Sequence, residues 1–287
     1  NDNQKYAYNN MNFSANWRSI FSEKLTANFS FGYDHYDYRN DESVEEAAAA
    51  RLSFAINQWF GKVDFSYKLD NNHTLNFGLM SQFYNINSGT YEPLHESSLV
   101  KWDQLQKDKA LESAIYIGDQ WEITPKLSVN AGIRYSMFNL LGPRTYYTYQ
   151  DGMLPSSTTV VDSVSVGGGK VVKTYQGPEF RLSARYAFND DFSVKAGFNT
   201  MRQYIHKVSN TTIMSPTDTW KLSDTNIKPQ NGWQLAAGAY YNTPGQVLEL
   251  SVEGYYKKLN DYLDYRSSAR LIMNHHLETD VINTEGY

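Results

Sequence analysis

The chain contains no cysteine in 287 residues. This excludes a disulfide framework and thiolate metal sites, and it fits an oxidising, extracytoplasmic setting. Long hydrophobic runs are missing as well. No stretch approaches the roughly 18 uncharged apolar residues of a spanning helix, and Asn1-Asp2-Asn3-Gln4-Lys5 does not open a signal peptide. There is no basic surplus either. The 26 Lys and Arg are scattered among 31 Asp and Glu, giving a net charge of −5, so nucleic acid is not expected as a partner.

What the chain does have is alternation. Leu25, Ala27, Phe29, Phe31 and Tyr33 interleave with Thr26, Asn28, Ser30, Gly32 and Asp34, a period of two that gives a strand one apolar and one polar face. The pattern recurs through Gly61–Tyr67, Leu75–Phe83, Leu127–Tyr135, Phe180–Tyr186, Phe192–Phe198, Trp233–Tyr241 and Leu248–Tyr256. An all-β, antiparallel up-and-down meander of about ten strands is expected. A soluble sandwich also alternates, so the connections must discriminate.

Compact clusters of Asn, Asp, Pro, Gly and Ser predict tight turns near 22–24, 70–73, 124–126, 189–191 and 243–246. Long polar segments lie between them, near 36–51, 86–109, 140–176, 206–232 and 267–287. Short and long connections alternate strictly, as in outer-membrane barrels with short periplasmic turns and long extracellular loops. On this reading 1–287 is one partial barrel domain. Trp17, Phe21, Tyr67, Trp121, Phe188 and Tyr241 fall near the turns, and Tyr33, Phe83, Tyr135 and Phe198 lie towards the other end. The two sets are about ten residues apart, near the length of a tilted crossing strand.

Charge sorting gives a second test, because a Lys or Arg on a lipid face costs about 2–4 kcal/mol at the midplane. Turning the apolar parity outward sends Arg18, Lys62, Asp64, Lys68, Arg134, Arg181, Arg185, Lys195, Glu249, Glu253 and Lys257 inward. Two places resist. Asp119 shares the parity of Ile115, Ile117 and Trp121, which requires a rim position or a bulge. The apolar parity also changes between Ile56 and Trp59, which suggests a register slip. Ser267 onward reads as a loop rather than a sealing strand, so the chain is expected to be a slice of a larger barrel.

The local phrases carry a family resemblance. Tyr116-Ile117-Gly118-Asp119-Gln120-Trp121-Glu122-Ile123-Thr124-Pro125-Lys126-Leu127-Ser128-Val129-Asn130-Ala131-Gly132-Ile133-Arg134-Tyr135 resembles a strand, turn and strand of TonB-dependent outer-membrane receptors. Gly177–Tyr186 is similar to another of their strands, and Ile227-Lys228-Pro229-Gln230 with Glu253–Lys258 to their later barrel. The resemblance implies a barrel of about 22 strands in the outer membrane of a Gram-negative cell. It also implies an N-terminal plug, absent from this stretch, through which the TonB system drives uptake of a siderophore, cobalamin, oligosaccharide or peptide.

No catalytic residue, cofactor or metal is expected. No Ser or Thr sits in a nucleophile elbow, and Gly167-Gly168-Gly169-Lys170 lacks phosphate-loop spacing. His275-His276-Leu277-Glu278 is the best metal candidate, but adjacent residues on an extended chain point apart, and the default reading is a polar loop facing water. Ligand contacts are expected from Arg202, Tyr204, His206, Asp218, Trp220, Trp102 and Tyr91 at strand ends and in loops, where aromatic faces stack and an Arg pairs with an anion. Packing of the loops is the alternative role for each aromatic. A passive porin, or a soluble all-β carbohydrate-binding or adhesion protein, is the rival reading of the whole.

Overall fold

The computed structural model describes residues 4–209, 218–243, 245 and 247–286. Four long strands open the chain, β1 (Gln4–Ile20), β2 (Leu25–Glu42), β3 (Ala50–Lys68) and β4 (His73–Pro93), and the short β5 (Asp103–Gln104) pairs with β4. Next come β6 (Asp108–Thr124) and β7 (Leu127–Leu141), a side hairpin of β8 (Arg144–Tyr149) and β9 (Val160–Val166), then β10 (Val171–Ala187) and β11 (Phe192–Gln203). A second side hairpin, β12 (Ile205–Val208) and β13 (Thr219–Leu222), precedes β14 (Gln230–Asn242), β15 (Glu249–Tyr265) and β16 (Val281–Gly286).

The main sheet runs β1-β2-β3-β4-β6-β7-β10-β11-β14-β15-β16. Every neighbour is antiparallel, and β1 and β16 occupy opposite edges, so the sheet is an open meander. Its ten long strands match the expected number, and eight of them carry the alternating runs. The eleventh, β16, lies in a segment read as loop: six residues with no clean alternation gave no strand signal, yet Val281 is buried against Leu263 and Leu277. The other long connections are shorter than the sequence suggests, because the strands run on past the alternating stretches and two loops fold into side hairpins.

All five tight turns share one construction. The oxygen of an early turn side chain accepts backbone N–H groups two or three residues ahead, or five in the longest turn. Ser22 Oγ takes Leu25 N at 3.0 Å, and Asp70 Oδ1 takes Asn72 N and His73 N at 2.8 Å. Thr124 Oγ1 takes Leu127 N at 3.0 Å, Asn189 Oδ1 takes Phe192 N at 2.7 Å, and Thr243 Oγ1 takes Leu248 N at 2.9 Å. These side chains satisfy donors that the reversal would otherwise leave bare. Adjacent turns are tied by backbone bonds, Lys68 N to Lys24 O, Glu122 N to Asn72 O, Ala187 N to Lys126 O and Asn242 N to Asp191 O, each 2.8 Å. All five therefore stand along one end of the sheet.

Cross-strand register sorts the side chains as charge sorting predicts. Phe77 faces Phe65 and Ile117, Ile133 faces Ile117 and Phe180, and Leu182 faces Phe198, which faces Leu235. The opposite face pairs Tyr116 with Arg134, Arg134 with Glu179, and Gly132 with Arg181. Among the described residues no second layer covers the apolar face: Phe29, Ile133 and Leu250 are 36%, 44% and 53% exposed. That removes a sandwich interior, the arrangement a soluble module would need.

Both sequence irregularities resolve without a slip of β3 against β2 or a bulge at Asp119. Asp119 sits opposite Leu75 on the apolar face, and β6 keeps its register there. It lies at the turn end, where His73 Nδ1 stands 2.6 Å from its carboxylate and the His73 ring stacks on Trp121. The parity change between Ile56 and Trp59 is not a slip either, because β3 pairs with β2 in unbroken register. Trp59 belongs to the exposed apolar face, whereas Ile56 and Phe54 point to the other face and enter a core.

That core occupies the polar face at the loop end. Tyr38, Phe54, Tyr84, Ile86, Ala110, Phe138 and Leu140 come from the sheet, and Tyr204 and Leu222 come from the β12–β13 segment. Where rings must approach backbone the facing residue is glycine: the Phe60 ring lies across Gly32, and the Tyr116 ring across Gly78.

Candidate functional site

The loop end is where the chain concentrates its chemistry. Hairpin β12–β13 leaves the sheet between β11 and β14 and folds over the polar face. Tyr204 stacks on Phe138 with centroids 4.9 Å apart and an 8° interplanar angle, and its hydroxyl is 2.8 Å from Ser136 Oγ. Ser88 Oγ donates to Trp220 O at 3.2 Å. Ile205, Trp220 and Leu222 share the face that packs on the core, while Val208, His206 and Lys221 lie on the other face and are buried there.

Beneath it lies a quartet of alternating charges. Lys221 Nζ is 2.9 Å from both Asp108 Oδ2 and Asp224 Oδ2, and Arg144 reaches Asp108 through Nη1 at 2.5 Å and Asp224 through Nη2 at 2.9 Å. The carboxylates' other contacts are backbone: Leu222 N donates to Asp108, and Asn226 N and Ile227 N donate to Asp224. Burial opposes ionisation of Asp224, but Lys221 and Arg144 outweigh it and hold its pKa at about 2. Asp108 is likewise held below its ordinary range by the same two cations against burial. Next to the quartet, His206 Nε2 is 2.8 Å from Ser223 Oγ. Burial, then the Lys221 charge, push His206 down to about 4, with Asp224 pulling the other way.

The seven expected ligand-contact residues do not form one cluster. Tyr204 and His206 are buried at 2% and 3% exposure in the hairpin's packing. Asp218 is buried and lies 3.4 Å from Lys207 Nζ, and Trp220 packs against the core. Arg202 folds its guanidinium over Gly177. Tyr91 is half-buried beside β5, and Trp102 is 62% exposed. Pro216 and Thr217, which precede Asp218 in the same loop, lie outside the described residues.

A second group forms the rim. His275 Nε2 is 2.9 Å from Asp103, the His276 ring lies 5.0 Å from that of Tyr147, and Tyr149 donates to Glu278 at 2.8 Å. The 267–280 segment is thereby pinned to β5 and β8, around a cavity of about 60 Å³ lined by Asp108, Arg144, Trp220, Lys221, His275 and Glu278. Among the described residues, no group of three or more His, Asp or Glu is placed to hold a metal ion. On the bare polar wall nearer the turns, a shallow recess of about 450 Å³ opens over Gly118, Gly132 and Gly197, flanked by Asn76, Asn130 and Arg181.

Sequence reasoning missed the quartet. Asp108 and Lys221 are 113 positions apart and Arg144 and Asp224 are 80 apart, so only Asp224, three residues after Lys221, leaves a local trace. The β8–β9 hairpin had a readable signal in Val164-Ser165-Val166 before Gly167-Gly168-Gly169.

The chain resembles known proteins along nearly its full length. The family model "TonB dependent receptor-like, beta-barrel" matches residues 1–276. Among solved structures, the copper transporter OprC superposes with a TM-score of 0.65 at 13% identity, covering 99% of this chain and 43% of that one. The ferric-catecholate import receptor Fiu from E. coli K12, in its closed form, gives 0.62 at 11%, covering 99% and 44%. The pyoverdine receptor FpvA from Pseudomonas aeruginosa PAO1 gives 0.62 at 11%, covering 98% and 41%. This chain therefore spans less than half the length of those structures. Comparison with curated protein sequences gives no match. An all-β meander with one uncovered apolar face, turns on one end and folded loops on the other, matched from 1 to 276 by that model, belongs to the TonB-dependent receptor β-barrel family.

Proposed function

We propose that this chain is part of the wall of an outer-membrane receptor that captures a scarce ligand at its loop end and imports it through a bore lined by the polar face. The observation that carries this is the uncovered apolar face. Ile115, Ile117, Leu182, Leu235, Leu250 and Val252 are each at least half exposed, far more greasy surface than water tolerates and what hydrocarbon requires. In this orientation the turns are periplasmic and the side hairpins extracellular. Uptake is energised by TonB through a plug that lies outside this chain.

Ligand capture falls to the rim rather than the buried hairpin. Trp102, the Tyr147–His276 pair and the His275–Asp103 pair offer stacking faces and hydrogen-bonding groups open to solvent. The family's range admits siderophores, cobalamin, oligosaccharides and peptides. The named relatives handle copper, ferric catecholates and pyoverdine.

The test is growth of a strain lacking the parent gene on panels of iron and carbon sources, with and without a functional TonB system. Loss of growth on one source, reproduced by removing TonB, is expected. A defect indifferent to TonB would replace import by passive permeation. Recovery of the protein from the aqueous phase without detergent would end the membrane reading.

A further inference from the structure

We propose that Asp108, Arg144, Lys221 and Asp224 form an electrostatic latch that keeps hairpin β12–β13 and the 223–228 turn shut against the polar face. The four side chains are 1–11% exposed and come from three segments: the first residue of β6, the first residue of β8, and the β13 hairpin with its following turn. Each carboxylate bridges both cations, and each cation bridges both carboxylates. Removing any one member leaves an unbalanced charge in a buried site.

This is what separates a latch from ordinary packing. A complete buried network adds little net stability over an apolar core of the same shape, but a broken one is heavily penalised. Its stability is therefore all-or-none in a way that the stacking of Tyr204 on Phe138 is not. The 223–228 turn is the hub. Tyr175 of β10 donates to Asp224 O at 2.6 Å, and Asn226 Nδ2 donates to Tyr147 O of β8 at 3.0 Å. Opening the latch would free β8, β10 and the hairpin from one another and uncover the part of the polar face they hide. Only the naming of that face as a bore rests on the import reading, and the measurement below does not involve transport.

Because the chain has no cysteine, Ser223→Cys supplies its single thiol. Ser223 is 0% exposed and the change is nearly isosteric. In the detergent-solubilised full-length receptor, with any cysteine outside this chain replaced by serine, a maleimide should label this thiol slowly. Adding Asp224→Asn should raise the labelling rate at least roughly tenfold, and adding Lys221→Met as well should return it towards the starting rate by restoring charge balance. If Asp224→Asn fails to fold, as judged by heat-modifiable migration, Arg144→Lys replaces it. That change keeps the charge, loses the fork that spans both carboxylates and should give an intermediate rate. Unchanged labelling in the single variant, or no recovery in the charge-balanced one, overturns the latch. A loss of growth with labelling unchanged would count against the latch and leave the import reading standing.

Discussion

The two ends of the same strands solve opposite problems. Near the turns, apolar side chains face away from the sheet and remain uncovered, while the other face is polar and open. Near the loops, the same strands turn Phe54, Ile86, Phe138 and Leu140 to the polar face and bury them under the chain's own hairpin. Strand β7 shows both within a few residues: Ile133 and Tyr135 are exposed on one face, and Ser136, Phe138 and Leu140 are buried on the other. The apolar parity of a crossing strand thus reports its surroundings, outward in hydrocarbon and inward above it. In the proposed orientation, the inversion marks the border between membrane band and folded cap.

The largest expected effect comes from the cap. Phe138→Ala removes the ring that Tyr204 stacks on and leaves a cavity in the cluster, at a cost of about 3–5 kcal/mol. Asp108→Asn leaves one buried positive charge uncompensated, at a similar cost of about 3–5 kcal/mol. Thermal unfolding in detergent should register both. Removal of the Lys258–Glu285 pair, 3.2 Å apart and exposed at Glu285, should stay within about 1 kcal/mol. If Phe138→Ala were as mild as that surface change, the cap would not be a core.

The band responds to charge instead. Ile117→Arg, at a site 51% exposed to the proposed hydrocarbon, should cost about 2–4 kcal/mol in lipid and far less in a polar-face position such as Asn130. Comparing the two variants in bilayers, by denaturant unfolding and refolding, sharpens the assignment of faces. Equal costs would break it.

His206 gives a pH dependence confined to the cap. Its folded pKa, about 4, lies below the ordinary 6.5. The neutral ring therefore contributes stability that is whole above pH 6.5 and declines as pH falls towards 4, by about 2 kcal/mol at pH 5. The groups facing it are Lys221, Ser223 and Asp224. Asp224 titrates only near pH 2, so His206→Gln should remove the dependence. Hydrogen exchange of the β12–β13 amides at pH 7.5 and 5 checks this, with the band amides as the internal control.

Much of the band was legible in the sequence and little of the cap was, for one physical reason. Alternation and turn chemistry are local: Asn189 and Phe192 are three residues apart, and Phe29 and Phe31 two. The charge sorting of Arg134 and Lys195 followed from the same period. The quartet and the burial of Tyr204 and His206 depend on contacts between segments tens of residues apart, which period-two reading cannot register. The change at Ile56 and Trp59 was visible but took the wrong cause, because two faces can each be apolar at different heights. Strand β16 escaped because its burial on Leu263 and Leu277 is tertiary.

The smallest effect tests the most local feature. Asn189 Oδ1 accepts two backbone N–H groups, Asp191 at 3.0 Å and Phe192 at 2.7 Å, and the turn is exposed, so Asn189→Ala should cost only about 1 kcal/mol because water replaces part of the lost bonding. Asn189→Asp, which keeps the acceptor, should cost less than Asn189→Ala even though it adds charge beside Asp190 and Asp191. The β12–β13 amides should keep their protection in both, since the turn lies at the far end of β10 and β11 and neither strand supplies a side chain of the quartet. A loss of cap protection on changing this one turn residue would mean that the two ends do not fold as separable layers. The boundary drawn at the parity inversion would then be a matter of surface chemistry alone, with no counterpart in cooperativity.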